Sequence, residues 1–270
     1  MYLHPATQEH IDTLRRRGAT IMQPAEGHLA SGAEGVGRLP EVPELLSAIR
    51  RILGMNGPLA GKRVVVTAGG TQEPLDPVRY VGNRSSGRMG YAIAEAAYYA
   101  GADVTLISGP TYLPAPHGIA AVQVQSAGQM EKAVREAVKE ADALIMAAAV
   151  ADYAPAEVSE QKIKKTNEGM TLKLARNPDI LGRLAEMDLP GLVRVGFAAE
   201  TQDLLDNARE KLNKKKLDMI VANDAVASIG AESSAITLIS KDGTIEELPP
   251  LPKEQSAQVI IERVAGLLGR

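Results

Sequence analysis

From Lys62 onward, short and almost wholly apolar runs alternate with stretches whose apolar residues recur at helical spacing. The runs are RVVVTA (63–68), DVTLIS (103–108), AVQVQ (121–125) and ALIMAAA (143–149), and the helical stretches are Met89 to Ala100 and Gln129 to Ala141. Strands that are apolar on both faces belong to a parallel sheet covered by helices on either side. The second half continues with TLKLA (171–175), an NPDI segment (177–180) opening a helix, VRVGFAA (193–199), a basic helix from Gln202 to Lys216 and DMIVA (218–222). In ITLISKDGTIEEL (236–248) two alternating runs flank Asp242-Gly243, a strong hairpin signal, and a last helix is expected over about Lys253 to Leu268. The pattern predicts an α/β fold: a doubly wound parallel sheet with an antiparallel hairpin added near the C-terminus.

Residues 1–55 read differently. A polar start and a Gly-rich segment (Gly27 to Gly37) precede VPELLSAIRRIL (42–53), a helix with Pro43 near its first turn. That is too little to enclose a core, so the chain divides into residues 1–55 and a globular domain over 56–270.

Composition narrows the chemistry. A hydrophobic content of 45% suits a chain of 270 residues with a sizeable core. The net charge of −3 gives no general electrostatic hold on nucleic acid or a membrane, so an anionic ligand must be met by local charge. With no cysteine there is no disulfide, thiolate metal site or cysteine nucleophile. MYLHPATQEH lacks the basic-then-apolar pattern of a signal peptide and no apolar run spans a bilayer, so a cytoplasmic protein is the expectation.

In open parallel sheets ligands bind beyond the carboxyl ends of the strands. The loop after RVVVTA is long and carries Gly69, Gly70, Asn83, Ser85 and Ser86 before its helix, and its N–H groups are a candidate phosphate loop. The alternative is an ordinary capped turn. Gly82 to Met89 (GNRSSGRM) falls short of the G-x-x-x-x-G-K-[ST] nucleotide loop: Arg88 stands at the Lys position, and Met89 cannot hold Mg²⁺. A dinucleotide fingerprint is also incomplete. QKIKK, with Lys162, Lys164 and Lys165, lies on a mobile-looking stretch (155–169), and a second basic cluster contains Lys211 and Lys215, one helical turn apart. Either cluster reads as solvated surface or as a hold on a polyphosphate. Phe197, the sole phenylalanine, ends a strand where it either fills the core or stacks on a base. The four histidines have no metal-ligand spacing.

The strings VVVTAGGTQEPLDPVRYVGNRSSGRMG, AAAVADY, KIKK, NPDI, GFAAET and AND, co-linear over residues 60 to 270, closely resemble phosphopantothenoylcysteine synthetase, whose fold is Rossmann-like. In many bacteria that enzyme is the C-terminal half of a bifunctional coenzyme A biosynthesis protein. Residues 1–55 resemble the end of the other half, the flavin-dependent decarboxylase: MYLHPATQ resembles the segment after its Pro-x-Met-Asn motif, and LASGAEGVGRL its substrate clamp. The flavin-binding body is absent from this chain, and Ser31 stands where that family uses a cysteine as proton donor. A serine hydroxyl is a far weaker acid, so decarboxylase activity and bound FMN are not expected.

The resemblance implies ligation of 4′-phosphopantothenate with L-cysteine at the expense of CTP, through an acyl-cytidylate, with Mg²⁺ on the nucleotide. It implies Asn83 and Lys162 as catalytic residues, Asn83 as the donor on the acyl-cytidylate and Lys162 also as the nucleotide lysine of a flexible flap, with Arg79 as a substrate contact. Met146, Ala147, Ala148 and Asp152 match the cytidine-recognition segment; Ala175, Arg176, Asn177 and Pro178, with Phe197, Lys211 and Lys215, match further CTP contacts. A homodimer with its sites near the interface is implied, and no metal ligand is assigned. The alternatives are an NAD(P)-dependent oxidoreductase on the same kind of sheet, and a nucleotide-binding remnant without activity.

Overall fold

Residues 1–53 and 54–270 form separate units in a computed structural model that describes residues 1–165, 169–200, 204–224 and 233–269. In the first unit, helix α1 (Pro5–Arg16) starts at a proline, whose fixed φ suits a first turn, behind His4, which accepts a bond from the Ala6 N–H. The Gly-rich segment forms an antiparallel hairpin of β1 (Ala25–His28) and β2 (Glu34–Arg38), with Ser31 in its exposed turn. Helix α2 (Val42–Gly54) follows where the periodicity places it. Neither helix buries a large apolar residue, as expected of a segment too short for a core.

In the second unit the apolar runs become β3 (Arg63–Ala68), β6 (Asp103–Ser108), β7 (Ala120–Gln123), β8 (Ala143–Met146), β11 (Val193–Glu200) and β12 (Met219–Asp224). They pair in parallel in the order β12-β11-β8-β3-β6-β7. The first strand is central, flanked by the second and the fourth, so the order reverses between β3 and β8. The expected hairpin, β13 (Ser233–Ser240) and β14 (Ile245–Pro252), adds antiparallel to β12. The doubly wound α/β fold is as predicted.

Alternation along β3 explains the two cores. Val64 and Val66 face a cluster filled by α3 (Arg88–Tyr99) and the last helix, α7 (Lys253–Leu268); Val65 faces the opposite cluster, with α4 (Ala127–Ala137), α5 (Ile180–Ala185) and α6 (Leu204–Lys214). Helix α3 lies so close to β3 that a Cβ on Gly90 would stand 2.6 Å from Ala68 Cβ and 2.8 Å from the Thr67 carbonyl oxygen. Gly90→Ala is therefore expected to destabilise the domain by about 1–3 kcal/mol, lowering Tm by roughly 3–10 °C. A thermal melt checks this, and an unchanged Tm would mean that the helix moves away without cost.

Three differences from the sequence reading stand out. The long loop after β3 contains its own short hairpin, β4 (Gln72–Pro74) with β5 (Tyr80–Gly82). TLKLA is not a strand of the main sheet: only Leu174–Arg176 (β10) is extended, antiparallel to β9 (Tyr153–Pro155). Lys173 and a 43% exposed Leu174 cannot supply the two apolar faces a buried strand needs. The α4 stretch ends in a 3₁₀ turn over Val138–Glu140. Gln202, expected to start α6, lies outside the described residues.

Candidate active site

The strand-order reversal leaves a crevice beyond the carboxyl ends of β3 and β8, and the loops that follow them are laced together there. Ala149 N–H donates to the Gly69 carbonyl at 2.8 Å, and Thr71 N–H donates to the Ala149 carbonyl at 3.3 Å. Two threonines extend the lacing: Thr67 Oγ1 accepts from the Ala148 N–H at 3.1 Å and Thr71 Oγ1 from the Ala151 N–H at 2.9 Å. Glycine permits the close approach, since a Cβ on Gly70 would lie 2.8 Å from the Asn83 carbonyl oxygen. Gly69, with φ 75°, abuts Gly109 in the loop after β6.

On the β8–β11 side of this crevice lies an open cleft of about 730 Å³. Met146, Ala148 and Asp152 line it from the end of β8, Arg176, Asn177 and Pro178 from the segment entering α5, and Phe197 from β11. Lys211 closes it from α6 and Lys215 from the turn that follows. Their helical spacing, noted in the sequence, does put them on one face, and Asn207, Glu210 and Lys214 share that face. Phe197 is half-buried: it packs on the core and also lines the cleft.

The cleft's polar groups are held by the backbone. Asn177 spans the gap to the β8 loop twice, its N–H donating to the Asp152 carbonyl and its Nδ2 to the Ala151 carbonyl, both at 2.8 Å. Lys211 Nζ donates to the Phe197 carbonyl at 2.6 Å. Asp179 caps α5 by accepting from the Gly182 N–H at 2.9 Å, and its other oxygen pairs with Lys215. The Lys215 side chain is only 13% exposed, and burial lowers its pKa from the ordinary lysine value. Four cationic side chains, Arg176, Lys211, Lys214 and Lys215, meet three carboxylates here, Asp152, Asp179 and Glu210, so the lining is cationic by a single charge although the chain as a whole is acidic. The arrangement suits an anion beside an aromatic face.

The remaining candidates sit apart from the cleft lining. Asn83 follows β5 and is exposed, and its Nδ2 donates at 3.1 Å to the carbonyl of Val150, a cleft-lining residue. Ser85 Oγ accepts from the Gly87 N–H at 3.2 Å, just before α3. Arg79 is engaged by the buried carboxylate of Asp76 and by the Ile163 carbonyl. The Arg79 guanidinium, helped by backbone N–H donors, holds the Asp76 carboxyl far below the usual carboxylate range. Lys162 is exposed next to Ile163, and Ala147, Ala175, Gly69, Gly70 and Ser86 are likewise absent from the cleft lining.

The sequence reading did not single out Asp179, Asn207, Glu210, Val150, Ala151 or Tyr153. Two of these had a readable signal: Asp179 precedes a helix as a good N-cap does, and Glu210 lies three residues after Asn207 and four before Lys214, on the same face of α6.

Residues 59–268 match the family model described as DNA/pantothenate metabolism flavoprotein C-terminal domain, and residues 1–54 match one described as Flavoprotein. The chain is 45% identical over 273 residues to the coenzyme A biosynthesis bifunctional protein CoaBC of Bacillus subtilis, spanning 99% of this chain and 67% of that protein. A crystal structure of the C-terminal domain of a CoaBC superposes with TM-score 0.69 at 42% identity, covering 79% of this chain and 98% of that one. The structure of a Cab2 variant in complex with phosphopantothenate-cysteine shares the fold, with TM-score 0.64 at 18% identity over 84% of this chain and 92% of that one. The resemblance drawn from the sequence, and with it an enzyme of the ligase class, is borne out, and the oxidoreductase alternative is left without support. By this match over residues 59–268, the chain belongs to the DNA/pantothenate metabolism flavoprotein C-terminal domain family.

Proposed function

We propose that residues 56–270 join 4′-phosphopantothenate to L-cysteine in the cytoplasm, using CTP and passing through an acyl-cytidylate. The observation that carries this reading is the cleft: most of the positions that the resemblance assigns to CTP line one concave, locally cationic surface at the strand-order reversal.

A carboxylate resists attack by an amine because oxide is a poor leaving group. In the first step the phosphopantothenate carboxylate oxygen attacks the α-phosphorus of CTP and pyrophosphate departs. Arg176, Lys211, Lys214 and Lys215 then offset charge along the nucleotide, with Lys162 closing from its segment, while Phe197 offers a face to the base. In the second step the cysteine amine attacks the acyl carbon and CMP leaves. Asn83 donates to the oxygen that becomes negative, and the Gly69-Gly70 and Ser85-Ser86 backbone holds that amide in place. Mg²⁺ in this reading travels on the triphosphate with few protein ligands. Among the described residues no group of three His, Asp or Glu side chains is gathered to hold a metal.

Two copies combine in this reading, with Arg79 or Asn83 acting near the interface. Residues 1–55 are the tail of a flavin-dependent decarboxylase and contribute no decarboxylation, since Ser31 cannot supply the proton a cysteine would. Pyrophosphate release with phosphopantothenate and cysteine, measured with CTP and with ATP, tests the whole proposal. Release that requires both substrates and prefers CTP is expected; no release with CTP overturns it.

A further inference from the structure

We propose that Asp76 is a positioning residue for this reaction, acting through a clasp with Arg79 that fixes the backbone of the segment bearing Lys162. The inference rests on the reading of Lys162 as the nucleotide lysine, and it adds a residue that the resemblance does not assign.

The Asp76 side chain is fully buried. Its Oδ1 accepts from the backbone N–H groups of Val78 and Arg79, both at 2.8 Å, which shapes the turn between β4 and β5. Its Oδ2 accepts from Arg79 Nε at 2.9 Å, from Arg79 Nη2 at 2.5 Å and from the Ile163 N–H at 3.1 Å. Arg79 Nη2 donates again, to the Ile163 carbonyl at 2.7 Å. Both backbone polar groups of Ile163 therefore close on one ion pair. A further bond, from the Ser159 N–H to the Leu75 carbonyl at 3.0 Å, ties the same segment to the same hairpin.

Burying a carboxylate is costly unless charge and hydrogen bonds compensate it, and here the compensation is directed at a stretch with no regular structure. Residues 156–165 have no strand or helix to hold them, so the position of Lys162 depends on its neighbour's clasp. The β4–β5 hairpin runs on into Asn83, whose amide is bonded to the cleft wall at Val150. One hairpin thus links the nucleotide lysine to the donor of the second step. Arg79 spends its Nε and Nη2 on the clasp.

Asp76→Asn is the test, because it keeps an oxygen for the two turn N–H groups while removing the charge opposite Arg79 and the acceptor for Ile163. Hydrogen exchange of the 157–165 peptide is expected to quicken. KM for CTP should rise more than about tenfold, as for a lost contact to a charged group, while KM for cysteine stays within about twofold. Adding Lys162→Gln to Asp76→Asn should then cost far less than Lys162→Gln alone, the non-additivity expected of coupled residues. Ile163→Pro removes the N–H donor but leaves the Asp76–Arg79 pair, and it should reproduce the CTP effect even if Asp76→Asn fails to fold. Unchanged exchange, or effects of the two substitutions that simply multiply, would overturn the proposal. If the parental protein releases no pyrophosphate with CTP, the functional reading fails, while the exchange measurement still decides the clasp.

Discussion

Asn83→Asp is expected to let acyl-cytidylate accumulate while its conversion with cysteine slows by about 10²–10³, the usual cost of losing one oxyanion donor. The first step should survive because the proposed function gives the nucleotide phosphates to Arg176, Lys211, Lys214 and Lys215, which line the cleft, whereas Asn83 is not part of that lining. The second step should fail twice over. A carboxylate cannot donate to the developing oxyanion and repels it; it also loses the 3.1 Å bond to the Val150 carbonyl, which would now face an ionised oxygen. The hairpin's register should remain, since β4 and β5 pair through backbone bonds. Single-turnover assays with cysteine added after the intermediate has formed separate the steps. If Asn83→Asp converts the intermediate at the parental rate, Asn83 is not the donor.

The parts of this protein that were legible in the sequence are those where periodicity or spacing encodes geometry. The apolar runs at 63–68, 103–108 and 143–146 are strands because each needs apolar residues on both faces, and the Asp242-Gly243 turn sits where a hairpin must bend. Lys211 and Lys215 were readable as one face because helices repeat that way. The loops resisted for the opposite reason. The β4–β5 and β9–β10 ladders are each three residues long, too short to show alternation, and β10 borrows its extended form from its partner. Nothing local in LDPVRY announces that Asp76 is buried, because its distant partner, Ile163, is brought to it by the chain's path and donates through the backbone. Residue type therefore carries no trace of that contact. A resemblance could assign Arg79, Lys162 and Asn83 without indicating that one hairpin connects all three.

The second large effect concerns the nucleotide. Lys162→Gln is expected to lower kcat/KM for CTP by roughly ten- to hundredfold, the range for a hydrogen bond to a charged group, whereas Lys241→Gln should leave it within about twofold. Both residues are exposed, so the comparison controls for the loss of one surface charge. Their positions differ along the strand axis. Lys162 adjoins Ile163, which is clasped to the hairpin beyond the carboxyl end of β3. Lys241 follows the antiparallel β13, and its N–H donates to the carbonyl of Asp218, just before β12 begins, so it sits at the opposite end of the sheet. Long-range attraction between exposed charges is largely screened beyond about 8–10 Å at ordinary ionic strength. Only a lysine that reaches the triphosphate directly should produce a large and selective loss. The effect should appear mainly in KM for CTP, because a lysine closing on the nucleotide stabilises the bound ground state and the first transition state alike. Equal effects of the two substitutions would return QKIKK to solvated surface, and a loss confined to kcat would place Lys162 in the chemical step.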